Sequence, residues 1–466
     1  MRGPRRPESA VSTRFAERIA AFRFRDLPPG VVAQAKLIVL DTLGAMLAAS
    51  APKYPAGRLV MEFVHRLGGA PESSLVGQGS RSSCVNAALG NATLAYACDL
   101  EPHHPGAILH APAVIVPTSL AVGEMAGADG ARCLAAVVLG IEVACRVSYA
   151  LDPVALYDRG FHPSAICGAF GAAAAAGHLF RLTPQRQAVA LGLAMQQASG
   201  LLAWAADPTE HSRPLNPGLA ARNGTTAAYL ARLGFGGPPA PFDGRYDAFT
   251  AFSGHANPGA LLADWGRRFH LSGVAYKRYA SCAFTHPGLD ALLGLAADER
   301  LGAADIQRIV LRFPKSGAHM IDDHPLRSHC AQYVLPVGLV FGRVGFDDIV
   351  VDRSRHPEVA RLRAGLSLVH DPDLDAGYPA RYTSVVEILT GDGRRLSRRV
   401  ESAKGTPANP FTPEEIRAKF RRLTAALVPP ARAAALLAEV DGLDRAPGLM
   451  RLAVLLRARV GAGSRR

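Results

Sequence analysis

The sequence predicts a mainly α fold with an α+β part. A large all-helical domain spans 1–272, a smaller α/β domain 273–402, and closing helices over 403–466 return to the first domain. Three observations predict this. Apolar positions recur with a helical period from about Asp26 to Leu271. From about Gly273 the pattern changes to short alternating runs. After Lys404 the helical period returns.

The elements follow in order. Residues 31–50 read as a helix ahead of a Ser-Ala-Pro break, and 131–150 and 184–204 read likewise. Residues 169–179 are so rich in Gly and Ala that the helix needs burial between others, where small side chains admit close backbones. Residues 208–217 read as a polar, proline-punctuated loop. Helix resumes over 220–233 and stops at Gly234, a C-cap. Residues 306–313 and 384–390 alternate as strands, the second ending in the turn Gly391-Asp392-Gly393. Residues 288–295 and 334–341 read as helices. Thr412-Pro413-Glu414-Glu415 is a helix start, with an N-cap, proline at N1 and two acids in the first turn.

Bulk composition narrows the classes. With 466 residues, 49% of them hydrophobic, the chain is long enough for a large core and is not disordered, collagen-like or coiled-coil. The 52 Lys and Arg against 39 Asp and Glu give a net charge of +13, which fits a polyanionic partner, anionic small substrates or only a basic soluble protein. The basic clusters at Arg2 to Arg6, Arg394 to Arg399 and Arg417 to Arg422 form no stripe or nucleic-acid motif, so no nucleic-acid partner is expected. Residues 102–123 and 160–180 lack charge but carry histidine, proline or mostly Gly and Ala, so no membrane span is expected. The seven cysteines contain no C-x-x-C pair, which points to reduced thiols and a cytoplasmic setting. Residues 1–14 are basic with no apolar run behind them, so no signal peptide is expected. Phosphate-loop, dinucleotide, G-x-S-x-G and H-E-x-x-H motifs are absent, and the proline-broken histidines give no metal spacing, so neither cofactor nor metal is expected.

Three segments carry chemistry. Asp99 ends a helix-like run, and a loop with His103, His104 and His110 follows. The plain alternative is a solvated surface loop. His162 precedes the Ala-rich helix, where it is either a cap or a general acid or base tuned by apolar surroundings. Tyr276-Lys277-Arg278-Tyr279-Ala280-Ser281-Cys282 sets two cations beside small polar groups, which suits carboxylate recognition or a charged linker.

Taken in order, Asn91-Ala92-Thr93 with Asp99, His104-Pro105-Gly106-Ala107-Ile108-Leu109-His110, Gly160-Phe161-His162-Pro163-Ser164 with its Ala-rich helix, and Lys277-x-Tyr279-x-Ser281-Cys282-x-x-Thr285-His286 resemble the MmgE/PrpD family of 2-methylcitrate dehydratases and cis-aconitate decarboxylases. Further matches are Leu40-Asp41-Thr42-Leu43-Gly44, Gly140-Ile141-Glu142-Val143 and Gly405-Thr406-Pro407-Ala408-Asn409-Pro410, so the resemblance covers nearly the whole chain. It implies an α/β lid inserted in the helical domain, an active site in the cleft between them, a homodimer, and a lyase of di- or tricarboxylates without an iron–sulfur cluster. Asp99, His110, His162, Lys277 and Tyr333 fall on family positions. Two stretches depart from the family. Where it has D-F-D-D-T, the chain reads Asp99-Leu100-Glu101-Pro102-His103, and the lysine of a K-P-L-H-x-G loop is Arg213.

The expected chemistry is dehydration of a 2-methylcitrate-like acid. Decarboxylation of a cis-aconitate-like acid, epimerisation of an acid such as iminodisuccinate, and carboxylate binding without turnover are the alternatives. His162 and His110 are the expected proton-transfer pair, oriented by Asp99, and Lys277 and Arg213 the carboxylate clamps. His103, Arg278, Ser281, Cys282 and Tyr333 are expected to assist in binding.

Overall fold

The computed structural model of the chain describes residues 10–461. The basic cluster at Arg2 to Arg6 and most of the basic start therefore lie outside the described residues. Helix outweighs strand by 59% to 9%, so the fold is mainly α with a smaller α/β part.

The Ala-rich segment is the hub. Its helix, Pro163–Leu179, packs against Ser212–Leu233, Gly130–Leu151, Ala111–Met125 and Pro184–Met195. Every residue in it except His178 is buried. The composition is a steric requirement: a Cβ on Gly171 would stand 2.6 Å from the Gly140 carbonyl oxygen of the facing helix. Two helices, Pro29–Ala49 and Gly130–Leu151, are long and apolar enough to cross a membrane, and they are 72% and 94% buried inside the molecule.

Two local expectations needed correction. The segment expected as a loop over 208–217 becomes helix from Ser212. Pro214 lies in the first turn, where its missing N–H has no partner to lose, and Pro217 costs one bond further in. The helix expected to reach 204 ends at Met195, and the chain then turns at Gly200 with φ +140°. That bend lets the Gly200 carbonyl accept the His162 N–H at 3.0 Å.

The α/β part holds a four-stranded sheet. Ile306–Pro314 runs parallel to Leu366–Asp371 on one side and antiparallel to Ser384–Thr390 on the other, and Arg395–Val400 completes the edge. Helices His286–Asp298, Ala331–Phe341 and Pro357–Ala364 pack against it. The closing helix Pro413–Thr424 starts with the capping box Thr412 and Glu415 and packs on Pro29–Ala49. There Lys419 meets Asp41 at 2.9 Å across 378 positions of sequence.

Several arginines of the basic clusters are paired within the chain. Arg394 binds Glu299, Arg398 binds Asp298 and Arg399 binds Glu401 along the sheet edge. Arg417 binds Asp441 and Arg421 binds Glu414 on the closing helix. All seven cysteines are free, and only Cys282 is more than marginally exposed.

Candidate active site

The site is built on two helix starts and one strained turn. Helix Cys84–Ala97 ends beside Asp99, whose φ of +51° bends the chain sharply. The following loop is pinned to the seam with the α/β part: His103 and Ala275 exchange backbone hydrogen bonds of 2.9 and 2.7 Å. The loop ends at His110, directly before helix Ala111–Met125, and His162 directly precedes Pro163–Leu179. Proline opens both helices, as the fixed φ of that ring allows. Ser164 ties the two starts together, its hydroxyl accepting the His110 N–H at 2.9 Å. Two helix N-termini with their partial positive charge thus converge on one cavity, a favourable setting for an anion.

That cavity is lined by Asp99, His103, His110, His162, Lys277 and Cys282, all expected from the sequence. It is also lined by Tyr96, Tyr157, Trp204, His329 and Tyr382, which were not. Glu101 was noted only as a departure from the family pattern. It is fully buried, and its carboxylate meets His110 Nδ1 at 2.6 Å.

Charge is concentrated at one point. The Lys277 ammonium bonds Asp99 Oδ1 and lies 3.6 Å from Glu101 Oε1. Arg213, 2% exposed, reaches the same Asp99 oxygen at 3.4 Å with its guanidinium over the Tyr96 ring. Burial pushes the Asp99 carboxyl up, but Lys277 and Arg213 outweigh it and hold the group well below the usual carboxylate range. Glu101 has the opposite balance: burial, with the Asp99 charge adding to it against Lys277, pushes it up to about 7. The imidazoles are kept neutral. Burial pulls His162 down to about 3, and His103, His110 and His329 lie well below the ordinary histidine value for the same first reason. Burial also raises the Cys282 thiol to about 12, so it is not a ready thiolate.

Several polar atoms of the lining have no hydrogen-bond partner: the second oxygen of Asp99, both ring nitrogens of His103, and Trp204 Nε1; the second oxygen of Glu101, behind the lining, has none either. His162 Nδ1 is met only by Asn216 at 3.3 Å, and its ring lies 5.7 Å from Trp204. Asp99, Glu101 and His110 bring one possible metal ligand each within 4.8 Å of one another, and the Lys277 ammonium lies against both carboxylates there.

Three expected residues lie elsewhere. The Arg278 guanidinium is half exposed and pairs with Asp290 at 3.2 Å. The Ser281 hydroxyl bonds Thr285 at 2.9 Å. The Tyr333 hydroxyl donates to the Asp348 carbonyl at 2.6 Å and accepts the Arg353 N–H at 3.0 Å, which fixes a loop of the α/β part.

Comparison with known proteins accords with this arrangement. The family model described as the MmgE/PrpD N-terminal domain matches residues 13–260, and that of the MmgE/PrpD C-terminal domain matches 279–445. A cis-aconitate decarboxylase-like protein, oryM, of Aspergillus oryzae is 27% identical over 91% of this chain and 92% of its own. Cis-aconitate decarboxylases of Aspergillus terreus and Homo sapiens are 26% and 27% identical, over 93% and 88% of this chain and 93% and 87% of theirs. The two models together span the helical and α/β parts and both sides of the cavity; the chain belongs to the MmgE/PrpD family.

Proposed function

We propose that this lyase of the MmgE/PrpD family decarboxylates an unsaturated tricarboxylate of the cis-aconitate type. The observation that carries the reading is the doubly cationic clamp on Asp99: Lys277 lines a cavity walled by neutral imidazoles, and Arg213 backs the same carboxylate from behind that lining. A substrate carboxylate displaces part of the Asp99 pairing and takes up those cations. The relatives named as cis-aconitate decarboxylases, similar over most of their length, favour this reaction over dehydration.

The step is simple to balance. The bond from carbon to one carboxylate breaks and carbon dioxide leaves. The electron pair passes through the adjoining double bond, and the far carbon takes a proton. Lys277 and Arg213 stabilise the charge that spreads onto the remaining carboxylates. The proton comes from the Glu101–His110 pair, since a carboxyl with a pKa of about 7 still carries one near neutrality. His162 stands at the other side of Tyr96, 6.0 Å between ring centroids, and orients the substrate or relays the proton.

The test is turnover of cis-aconitate, 2-methylcitrate, citrate and iminodisuccinate, followed by NMR in deuterated water. One carbon dioxide per product, with one solvent deuteron on its carbon, is the expected result from cis-aconitate. Water loss from 2-methylcitrate without carbon dioxide would assign the dehydratase reaction instead. His162→Ala is expected to abolish turnover in a folded protein, and a fully active variant would overturn its place in the site.

A further inference from the structure

A second cavity of about 230 Å³ adjoins the first. The two share His103, Ala283 and Tyr382 as a common wall. The first has room for only about 60 Å³, space for a few waters, while the second is the larger. Its other walls expose mainly apolar surface, from Pro105, Ala275, Tyr276, Ala403, Pro407 and Ala408, with His286, Ser402, Thr406 and the exposed Arg381 at their margins. Two residues on its walls carry polar atoms without a hydrogen-bond partner. The Tyr276 hydroxyl, on a side chain 8% exposed, has no hydrogen bond. His103, 6% exposed, has none at either ring nitrogen. Nothing but packing, including a stacked contact with His110 at 5.4 Å, therefore holds the His103 ring across the boundary. Lys404, at the far side, is occupied by Glu415 and the Pro410 carbonyl, so it adds no free charge.

We propose that this second cavity is a subsite for an alkyl substituent on the polycarboxylate, reached when the His103 ring turns aside. The proposal rests on the polycarboxylate reading of the first cavity. Apolar walls reward methylene groups, and the idle Tyr276 hydroxyl offers one donor to an oxygen on the chain. The residue at the boundary, His103, belongs to the stretch Asp99-Leu100-Glu101-Pro102-His103 that differs from the D-F-D-D-T pattern.

The experiment has two readouts. Calorimetry follows binding of tricarballylate, a saturated and unreactive tricarboxylate, and of its methyl, ethyl and propyl derivatives. Carbon dioxide release follows turnover of cis-aconitate and the same derivatives. Ala403→Leu fills the cavity from inside. Ala408→Phe fills it from an exposed position that folding tolerates, and circular dichroism checks both. In the wild type, affinity is expected to rise roughly fourfold per methylene, and the rise to vanish in both variants while tricarballylate binds as before. Equal affinity across the series, a rise that survives both fillings, or no binding at all would overturn the subsite. Alkyl-dependent binding without carbon dioxide from any acid would leave the subsite standing and remove the decarboxylase reading. Turnover of cis-aconitate alone, with no alkyl gain, would do the reverse.

Discussion

Two buried lysine–aspartate pairs adjoin Leu100, Asp99 as its chain neighbour and Lys419 at its carbonyl, and they behave differently. At Asp41 the paired cation is Lys419, with Arg422 adding a weaker pull, and burial wins: the carboxyl is raised above its ordinary value. At Asp99 a second cation, Arg213, joins Lys277, and together they win against the same burial. The first pair cancels its own charge and spends its ammonium on the Leu100 carbonyl at 2.7 Å. The second keeps an excess of positive charge beside a cavity. The lesson is that one buried ion pair makes a scaffold, whereas an extra cation on a shared carboxylate makes an anion site.

Breaking the Asp99 cluster is expected to have the largest effect. Lys277→Met should lower kcat/KM by about 10³-fold, the scale of a lost charge-stabilising donor, in steady-state assays on the acid that is turned over. Breaking the other pair tests the contrast. Lys419→Met leaves Asp41 buried and alone, and urea unfolding should show a loss of about 3–5 kcal/mol. Turnover should fall by less, about 10²-fold, through displacement of the Asp99–Glu101 turn. Adding Asp41→Asn to that variant should recover most of the stability. Arg213→Met should make Asp99 resemble Asp41, which predicts that the acid limb of the pH–rate profile moves upward.

The histidines give a smaller, graded effect. His103, His110, His162 and His329 are held neutral when folded, so the unfolded chain takes up protons first as pH falls below about 6.5. Their contribution is whole above that value and is lost toward acid. Glu101, raised to about 7, works in the opposite sense, because the folded state keeps its proton between about 4.3 and 7. Burial lowers His104, His178, His270 and His286 in the same way, and it raises Glu142 and Asp41 as it does Glu101. The histidines outnumber these acids, so Tm should be lower at pH 5 than at pH 7, and His162→Asn should flatten that slope. The smallest effect is expected for Arg278→Ala. An exposed pair with Asp290 is worth about 0–1 kcal/mol, and kcat/KM should hardly move.

Much of the fold was legible because period and punctuation agree with burial. Gly234 caps its helix at φ +92°, and Thr412 and Glu415 form the reciprocal cap that their spacing predicts. Strand Leu366–Asp371 was not legible, since its four central residues are partly or well exposed and its pairing with Ile306–Pro314 spans a long connection. Within the site, Asp99, His110, His162 and Lys277 stood in recognisable motifs. Glu101 and His329 did not. A charged side chain next to a proline and a histidine in a polar turn look like surface groups until the fold buries them at 0% and 5% exposure. Tyr333 illustrates the converse error, because a motif position says nothing of where a hydroxyl is spent.

The Lys419–Asp41 link also orders events in time. Its two ends are 378 positions apart, so the Asp99–Glu101 turn cannot be clamped until the Pro413–Thr424 helix has left the ribosome. A chain cut before Pro413 can still assemble the Ala-rich hub from its own neighbours, but it lacks the ammonium that holds Leu100. Activity in this protein should therefore arise only once the closing helix is made, and it should report that step more faithfully than helix content does.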